Sequence, residues 1–181
     1  MAAFTVNEST VIHASIERVF ALSTRIELVK ETLGMDIVDT GVAGGVTSGH
    51  ITSGSRVTWQ GWKFGLPTSH HTLITAFDEP HAAPTGRATA FFQDTQERGR
   101  FASFQHDHHF DESPDSAIGE PITILHDEVR FSLPFGPVGT LVSRFIMAPY
   151  IAKLARQRFA RIKSLAESNA PDGWRSWLPE E

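Results

Sequence analysis

Residues 137–168, PVGTLVSRFIMAPYIAKLARQRFARIKSLAES, decide the fold. Apolar side chains recur there at spacings of three and four, which predicts one long amphipathic helix: Leu141, Phe145, Ala148, Ile151, Leu154, Ala155, Phe159, Ile162 and Leu165. Pro149 lies inside the pattern and predicts a kink or a break, because proline lacks the backbone N–H that a helix interior requires. A helix of this kind needs an apolar surface to cover, and the preceding residues have to supply it.

Those preceding residues, 49–133, have the alternation and composition of β-strands. Five runs rich in aromatic and β-branched residues are separated by turn-forming residues: 51–64, 68–77, 87–94, 101–110 and 122–133. Consecutive strands joined by short turns predict an antiparallel meander. The Gly-rich stretch at 41–54 lacks both the Lys-Ser/Thr pair and the helix that follow a phosphate loop, so we interpret it as strand ends and tight turns.

The N-terminal residues predict a strand followed by a short helical segment. Phe4–Ile12 alternates loosely between apolar and polar residues and is typical of an edge strand. Ser15 is placed to cap a helix, and Gly34 ends the helical pattern, so we predict one helix or two short ones between residues 15 and 33. The chain is therefore predicted to be an α+β protein, with the long helix last.

Length and composition predict a single globular domain over residues 1–181, of which 169–181 form a C-terminal tail. The formal net charge of −5 argues against non-specific nucleic-acid binding. The chain has no cysteine, which excludes disulfides, thiolate metal sites and a cysteine nucleophile. The first residues do not have the pattern of a secretion signal, and no membrane span is evident, so we expect a soluble, cytoplasmic protein.

A curved antiparallel sheet wrapped around one long helix leaves a wedge-shaped space between them. If side chains do not fill this space, it is a ligand cavity. The chain has thirteen phenylalanines and four tryptophans that could line it.

Three stretches resemble the START-like superfamily, which includes Bet v 1 and the polyketide cyclase/dehydrase (SRPBCC) proteins. Residues 12–20 (IHASIERVF) resemble the family's opening, 73–80 (LITAFDEP) resemble one of its strand ends, and 101–110 followed by 123–136 resemble a bacterial subgroup. The match extends over about residues 4–168. The resemblance implies a helix-grip fold with a ligand cavity. It does not imply one reaction, because the superfamily contains carriers, receptors and cyclases.

Histidine is the informative residue type for chemistry, with nine in 181 residues. In a strand at 101–110, successive side chains lie on opposite faces of the sheet. The less charged set is predicted to face inward: Phe104, His106, His108 and Phe110. The outward set is then Phe101, Gln105, Asp107 and His109.

In the next strand, the apolar majority carries Asp127 inward, so His106 or His108 is expected to lie near this carboxylate. Three interpretations follow. The His and Asp side chains could satisfy each other and set the strand register. They could donate or accept hydrogen bonds with a ligand. Finally, Asp127 could orient a histidine as a general base.

Trp59 is predicted to be a wall of the cavity, although Gly61, between Trp59 and Trp62, could mark a bulge. The alternation in strand 68–77 places His70 and His71 on opposite faces without deciding which faces inward. We nevertheless include His71 among the predicted ligand-binding residues, which are Trp59, His71, Phe104, His106, His108 and Asp127.

No metal and no cofactor are expected. The two imidazoles of His106 and His108 share a face, and with His70 or His71 and Asp127 they resemble part of a His/carboxylate metal site, but no further close-spaced carboxylate completes the set. No Gly-x-Ser-x-Gly elbow and no dinucleotide-binding fingerprint are present.

The leading functional prediction is binding of a small hydrophobic or aromatic molecule, lipid-like or polyketide-like, between the sheet and the helix. The alternative is a cyclase or dehydratase that uses a His/Asp acid–base pair in the same cavity. A third possibility is an interaction protein with a filled core.

The long helix also bears on partners, because it carries six basic and no acidic residues between positions 144 and 163. These form either a solvated face or a transient docking site for an anionic membrane. The oligomeric state stays open.

Overall fold

The computed structural model describes residues 2–84, 86–113 and 121–168. The strands are β1 (Phe4–Ile12), β2 (Asp36–Ile37), β3 (Arg56–Lys63), β4 (Leu66–Ala82), β5 (Ala88–Arg98), β6 (Ser103–Glu112) and β7 (Thr123–Ser132). The helices are α1 (Ile16–Thr24), α2 (Ile26–Leu33), α3 (Gly136–Val142) and α4 (Ala148–Ala166), with a π turn at Ser143–Met147 between the last two. The predicted C-terminal tail, residues 169–181, and most of the 112–121 connection lie outside the described residues.

All seven strands form one antiparallel sheet in the order β1-β7-β6-β5-β4-β3-β2. Strands β3 to β7 follow one another as the predicted meander, and β1 pairs with β7 at the far edge. The register between β4 and β5 shifts at three places, which bends this long pair of strands. The sheet is curved and open, and the long C-terminal helix lies against it, so the predicted α+β helix-grip architecture is confirmed.

The helical segment after β1 consists of two short helices, which was one of the two predicted arrangements. Ser15 caps α1 by accepting a hydrogen bond from the backbone N–H of Arg18. Gly34 ends α2 in the left-handed conformation with φ of 60°, which only glycine adopts without steric cost.

The sequence predicted a kink or a break at Pro149, and no break occurs, because the chain stays helical from Gly136 to Ala166. The π turn ends directly before α4, and Pro149 lies in the first turn of α4. The N–H of Ala148 binds the carbonyl of Ser143, five residues back, so an extra residue is accommodated at the point where proline removes a donor. The helix thus changes its hydrogen-bond pattern there instead of breaking.

The core lies on the inner face of the sheet, under α1, α2 and α4. The ring of Phe20 from α1 lies within 5.2–6.1 Å of three rings on the sheet: Phe77, Phe92 and Phe110. From α4, Ile151, Ala155, Phe159 and Ile162 are buried, as the stripe predicted. The first part of the stripe differs, since Leu141 and Phe145 are exposed.

The predicted position of Phe101 on the outer face of the sheet was wrong. Phe101 was placed on the outer face as part of a strand at 101–110, but β6 begins only at Ser103. Phe101 therefore does not follow the alternation of β6. Its ring packs against those of Phe104 and Phe131.

The helical stretch Gly136–Ala166 contains an 18-residue window that is long and apolar enough, by length and composition, to cross a membrane. Its mean hydropathy is 1.2 and only 17% of it is buried. The sequence predicted no membrane span, because it has no window of 18 uncharged apolar residues. Core helices of soluble proteins meet the same criterion.

Candidate functional site

Three neighbouring strands bring two histidines and two aspartates together on the inner face of the sheet. Asp94 of β5 pairs in register with His106 of β6, and His108 of β6 pairs with Asp127 of β7. Because side chains of directly paired residues lie on the same face, all four converge. The predicted meeting of His106, His108 and Asp127 is thus present, and Asp94 joins it.

Each imidazole of this cluster lies between the two carboxylates. His108 places Nδ1 2.7 Å from Oδ1 of Asp127 and Nε2 3.4 Å from Oδ2 of Asp94. His106 places Nε2 3.2 Å from Oδ2 of Asp127 and Nδ1 3.7 Å from Oδ2 of Asp94. The centres of the two rings are 3.8 Å apart. The contacts with Asp127 are therefore the short ones, and those with Asp94 are longer.

Arg158 of α4 reaches into the same cluster. Its Nη1 lies 3.1 Å from Oδ2 of Asp127 and 2.9 Å from Nδ1 of His108, and its Nη2 donates to the carbonyl of Ser23 at 3.0 Å. When Nδ1 of His108 donates to Asp127, it has no lone pair left to accept from Arg158, and Nη1 of Arg158 then donates to Asp127 only. The guanidinium thereby joins the helix, the sheet and the end of α1.

Arg158 was missed as a site residue because it was counted among the basic residues of a solvated or membrane-docking face. A pattern in the sequence could have identified it. Arg158 follows Ala155 by three residues and precedes Ile162 by four, so it lies on the buried stripe of the helix. A charged side chain in that position requires a buried counter-charge.

The electrostatics of the cluster follow from burial and from these pairs. Burial alone would raise the pKa of Asp127, but the nearby His108 and Arg158 hold it well below its usual range. Burial lowers the pKa of His108, more than the carboxylate of Asp127 raises it. Despite its burial, the pKa of Asp94 is lowered, by the hydrogen bond from His108 and by the charges of the neighbouring histidines.

The four side chains of the cluster lie on the inner face of the sheet, toward the wedge, which is the space between that face and the long helix. The side chains of His108 and Asp127 are almost fully buried, whereas those of His106 and Asp94 are 18% and 16% exposed. Phe104 lies next to His106 on β6, with the ring of Phe104 6.5 Å from that of His106.

Two of the predicted ligand-binding residues lie elsewhere. Trp59 is buried in the hydrophobic core, where its Nε1 donates to Thr72. His71 pairs with Thr58 on the outer face, because β3 and β4 are registered so that Trp59 faces His70. The inward histidine of this strand is therefore His70, and burial lowers its pKa.

A separate cavity of about 490 Å³ lies where the loop at residues 40–42 approaches the sheet, and His71 borders it. Its lining is mixed and includes Thr40, Val42, Arg56, Thr58 and Glu97. This space lies apart from the His/Asp cluster. The predicted site residues therefore lie in three places: Trp59 in the core, His71 at this cavity, and the other four at or beside the cluster.

The turn between β3 and β4 reaches the beginning of α4. Phe64, in the left-handed conformation with φ of 55°, places its ring 5.0 Å from that of Tyr150. Phe64 and several apolar residues of the adjoining segments are exposed: Trp62, Leu66, Phe135, Val138, Leu141, Phe145 and Ile146. We call the contact between Phe64 and Tyr150 the hairpin–helix contact.

The six basic residues of the long helix do not form one free face. Arg158 is buried in the cluster, Arg156 pairs with Glu8, Arg161 pairs with Glu31, and Lys163 binds the carbonyl of Val11. Arg144 lies over the ring of its neighbour Phe145. Most of the positive charge thus serves contacts within the chain.

No protein-family profile matches the chain, and no curated protein is significantly similar to it in sequence. Solved structures do match. The protein TTHA0849 of Thermus thermophilus is 15% identical, with a TM-score of 0.56 over 91% of this chain and 100% of that one. A point mutant of norcoclaurine synthase from a Thalictrum species, in complex with a transition-state analogue, is 11% identical, with a TM-score of 0.56 over 91% and 94%. Ara h 8.0201 is 14% identical, with a TM-score of 0.53 over 93% and 100%.

These likenesses confirm the fold implied by the sequence resemblance. The chain has a Bet v 1-like helix-grip fold. At such low identity the comparisons support the architecture alone, and the function has to be argued from the residues of this chain.

Proposed function

We propose that the protein binds a small hydrophobic or aromatic molecule in the wedge, with the His/Asp cluster as its polar end. One observation carries this proposal. His106 and Asp94 lie on the inner face of the sheet, yet both side chains remain in contact with solvent. Water therefore reaches a place that, in a filled core, would be closed, and a ligand could replace that water.

The chemical class of the ligand follows from the walls around the cluster. Phe101, Phe104 and Phe131 pack against one another, and Met147 and Ile151 of the helix lie in the same apolar group. Aromatic walls favour an apolar or aromatic body. The partly exposed imidazole of His106 favours one hydroxyl or carbonyl group on the ligand, because either ring nitrogen can donate or accept a hydrogen bond according to its tautomer.

Native mass spectrometry of the freshly purified protein, followed by denaturing extraction, tests this proposal. We expect a stoichiometric extra mass that releases a small organic molecule. If the chain is bare, titration with a fluorescent apolar probe such as 8-anilinonaphthalene-1-sulfonate is expected to show one saturable site. A bare chain that also binds no probe would contradict the proposal and favour an interaction protein with a filled core.

A second candidate is a cyclase or dehydratase that uses the same cluster. It is favoured by the position of His106, which is partly exposed and has Nε2 3.2 Å from Oδ2 of Asp127. This arrangement is suited to a general base oriented by a carboxylate. In an enzyme, Asp127→Asn should lower turnover far more than affinity, whereas a carrier should keep most of its binding.

We further propose that the carrier exchanges its ligand at a membrane surface. The support is the exposed apolar group on the first part of the helical stretch, including Leu141 and Phe145, beside the cation of Arg144. An exposed apolar group flanked by a basic residue favours shallow insertion among anionic lipids.

A further inference from the structure

We propose that Asp94, His106 and His108 form a binding site for a divalent transition-metal ion, with zinc as the preferred ion. One carboxylate oxygen of Asp94 and one ring nitrogen of each histidine all lie within 4.8 Å of one another. Among residues 2–84, 86–113 and 121–168, no other three His, Asp or Glu side chains converge in this way. The sequence predicted no metal because Asp94 was not recognised as a neighbour of the two histidines.

The distances at Asp94 leave room for a metal ion between the ligand atoms. Oδ2 of Asp94 lies 3.4 Å from Nε2 of His108 and 3.7 Å from Nδ1 of His106. Bonds of about 2.0–2.2 Å in a tetrahedral zinc site place neighbouring ligand atoms about 3.3–3.6 Å apart. The atoms around Asp94 therefore lie close to the edges of such a tetrahedron, while a strong hydrogen bond would require about 2.7–2.9 Å.

In each ring, the nitrogen that points away from Asp94 lies near a carboxylate oxygen of Asp127. Asp127 lies 2.7 Å from Nδ1 of His108 and 3.2 Å from Nε2 of His106, so one carboxylate faces both nitrogens that point away from Asp94. Metal-binding histidines usually donate their second N–H to a carboxylate, which fixes the tautomer and the orientation of the ring. Asp127 has this hydrogen bond with His108, and it lies within 3.2 Å of the second ring nitrogen of His106.

The two carboxylates differ in their contact with Arg158. Its guanidinium pairs with Asp127, which is thereby held in place as an anion, whereas Asp94 has no arginine or lysine among its contacts in the part of the chain that the structure describes. Asp94 is thus the carboxylate without a fixed cation. A divalent ion beside it would supply the missing positive charge.

The ligand set indicates the class of ion and its use. Two imidazoles and one carboxylate suit zinc, and iron or cobalt bind to the same types of ligand. Three protein ligands leave a fourth position for water or for an oxygen atom of a bound molecule. Because Asp94 and His106 are the two partly exposed members of the cluster, that position would be reached from the wedge.

Isothermal titration with zinc chloride alone, on the full chain purified with a chelator and then dialysed, tests this proposal. We expect one zinc per chain. Titration with cobalt is expected to give the intense visible absorption of four-coordinate Co²⁺. Asp94→Asn and His106→Gln should each abolish the cobalt spectrum, and Asp127→Asn should weaken zinc binding by about 10–100-fold, as loss of an orienting carboxylate does.

His109 offers a matched control, because it faces His126 across β6 and β7 on the outer side of the sheet, with ring centres 6.1 Å apart. His109→Gln should leave the stoichiometry and the cobalt spectrum unchanged. The proposal is wrong if wild-type protein gives no four-coordinate cobalt spectrum, or if His109→Gln removes binding while His106→Gln retains it. Thermal unfolding of each variant separates loss of the site from loss of the fold, and the wild-type spectrum decides the matter without any variant.

Discussion

Arg158 of α4 and Asp127 of β7 form a buried ion pair, with Nη1 and Oδ2 3.1 Å apart, and this pair fixes the long helix against the sheet. Both side chains are almost fully removed from water. A buried pair of this kind adds little net stability, but loss of one partner leaves the other charge buried without a counter-charge. The pair therefore determines how the helix is placed more than how strongly it is held.

Arg158→Met should lower the free energy of unfolding by about 3–5 kcal/mol, because Asp127 loses the buried guanidinium that compensates its charge. Urea denaturation followed by circular dichroism measures this loss. The control is Arg156→Met, two residues away, whose exposed pair with Glu8 is expected to contribute about 0–1 kcal/mol. Equal losses in the two variants would contradict the role given to Arg158.

Stability should fall as the pH is lowered below 6.5, in part because of His70. Burial lowers the pKa of His70 below its ordinary value of 6.5, so at a pH between the two values the unfolded chain binds more protons than the folded one. His70→Gln should therefore reduce the decrease in stability between pH 6.5 and the lowered pKa of the folded protein. Urea midpoints at a series of pH values give this slope, and an unchanged slope in the variant would exclude the effect.

Phe104→Ser should weaken binding of an apolar probe about tenfold or more, since Phe104 belongs to the aromatic wall beside His106. Phe91→Ser is the matched control. Phe91 lies on the neighbouring strand but faces outward, with its ring 4.7 Å from that of His109. Probe fluorescence titrations on both variants make the comparison, and a greater loss in Phe91→Ser would place the ligand outside the wedge.

Phe64→Gly should increase the rate of ligand release without a large loss of stability. The left-handed backbone at Phe64 costs about 1–2 kcal/mol for a side chain with Cβ, and glycine removes that cost. The same change deletes the hairpin–helix contact with Tyr150. Stopped-flow displacement of a bound probe measures release, and Phe64→Asn, which tolerates this backbone but lacks the ring, should release the probe as fast as Phe64→Gly. Release at the wild-type rate in both variants would show that the hairpin–helix contact does not affect ligand release.

Leu141→Asp and Phe145→Asp should reduce co-flotation with vesicles of phosphatidylglycerol and phosphatidylcholine several-fold, because each places a negative charge among exposed apolar residues of the helix. Val11→Asp on the edge strand β1 is the control, since Val11 is also exposed and apolar but lies on a different element. If all three variants float like the wild type, or if the wild type does not float at all, the proposed membrane contact is wrong.

The fold could be predicted because the sequence shows both the periodicity of its strands and that of its long helix. Strands β5 to β7 alternate with a period of two, and α4 has apolar residues at spacings of three and four. The inward set of β6 followed from the same alternation, which correctly placed His106 and His108 with Asp127. These are local patterns, and each can be read within one element.

What could not be predicted depends on pairing between elements. Asp94 was placed at the end of a short strand, and only the register of β5 against β6 brings it opposite His106. The inward position of His70 likewise depends on its pairing with Trp59. A change of one residue in either register would reverse these faces, and the sequence within one strand does not contain that information.

The π turn at Ser143–Met147 explains why the apolar stripe does not stay buried along its whole length. One additional residue in a helical turn rotates everything before it by about 100° relative to everything after it. Leu141 and Phe145 are therefore turned away from the side on which Ile151 and Ala155 meet the sheet. Deletion of a single residue within the π turn would restore the α-helical repeat and rotate these two side chains back toward the sheet. The extra residue of the π turn therefore sets which side chains of the helix face the sheet and which face away from it.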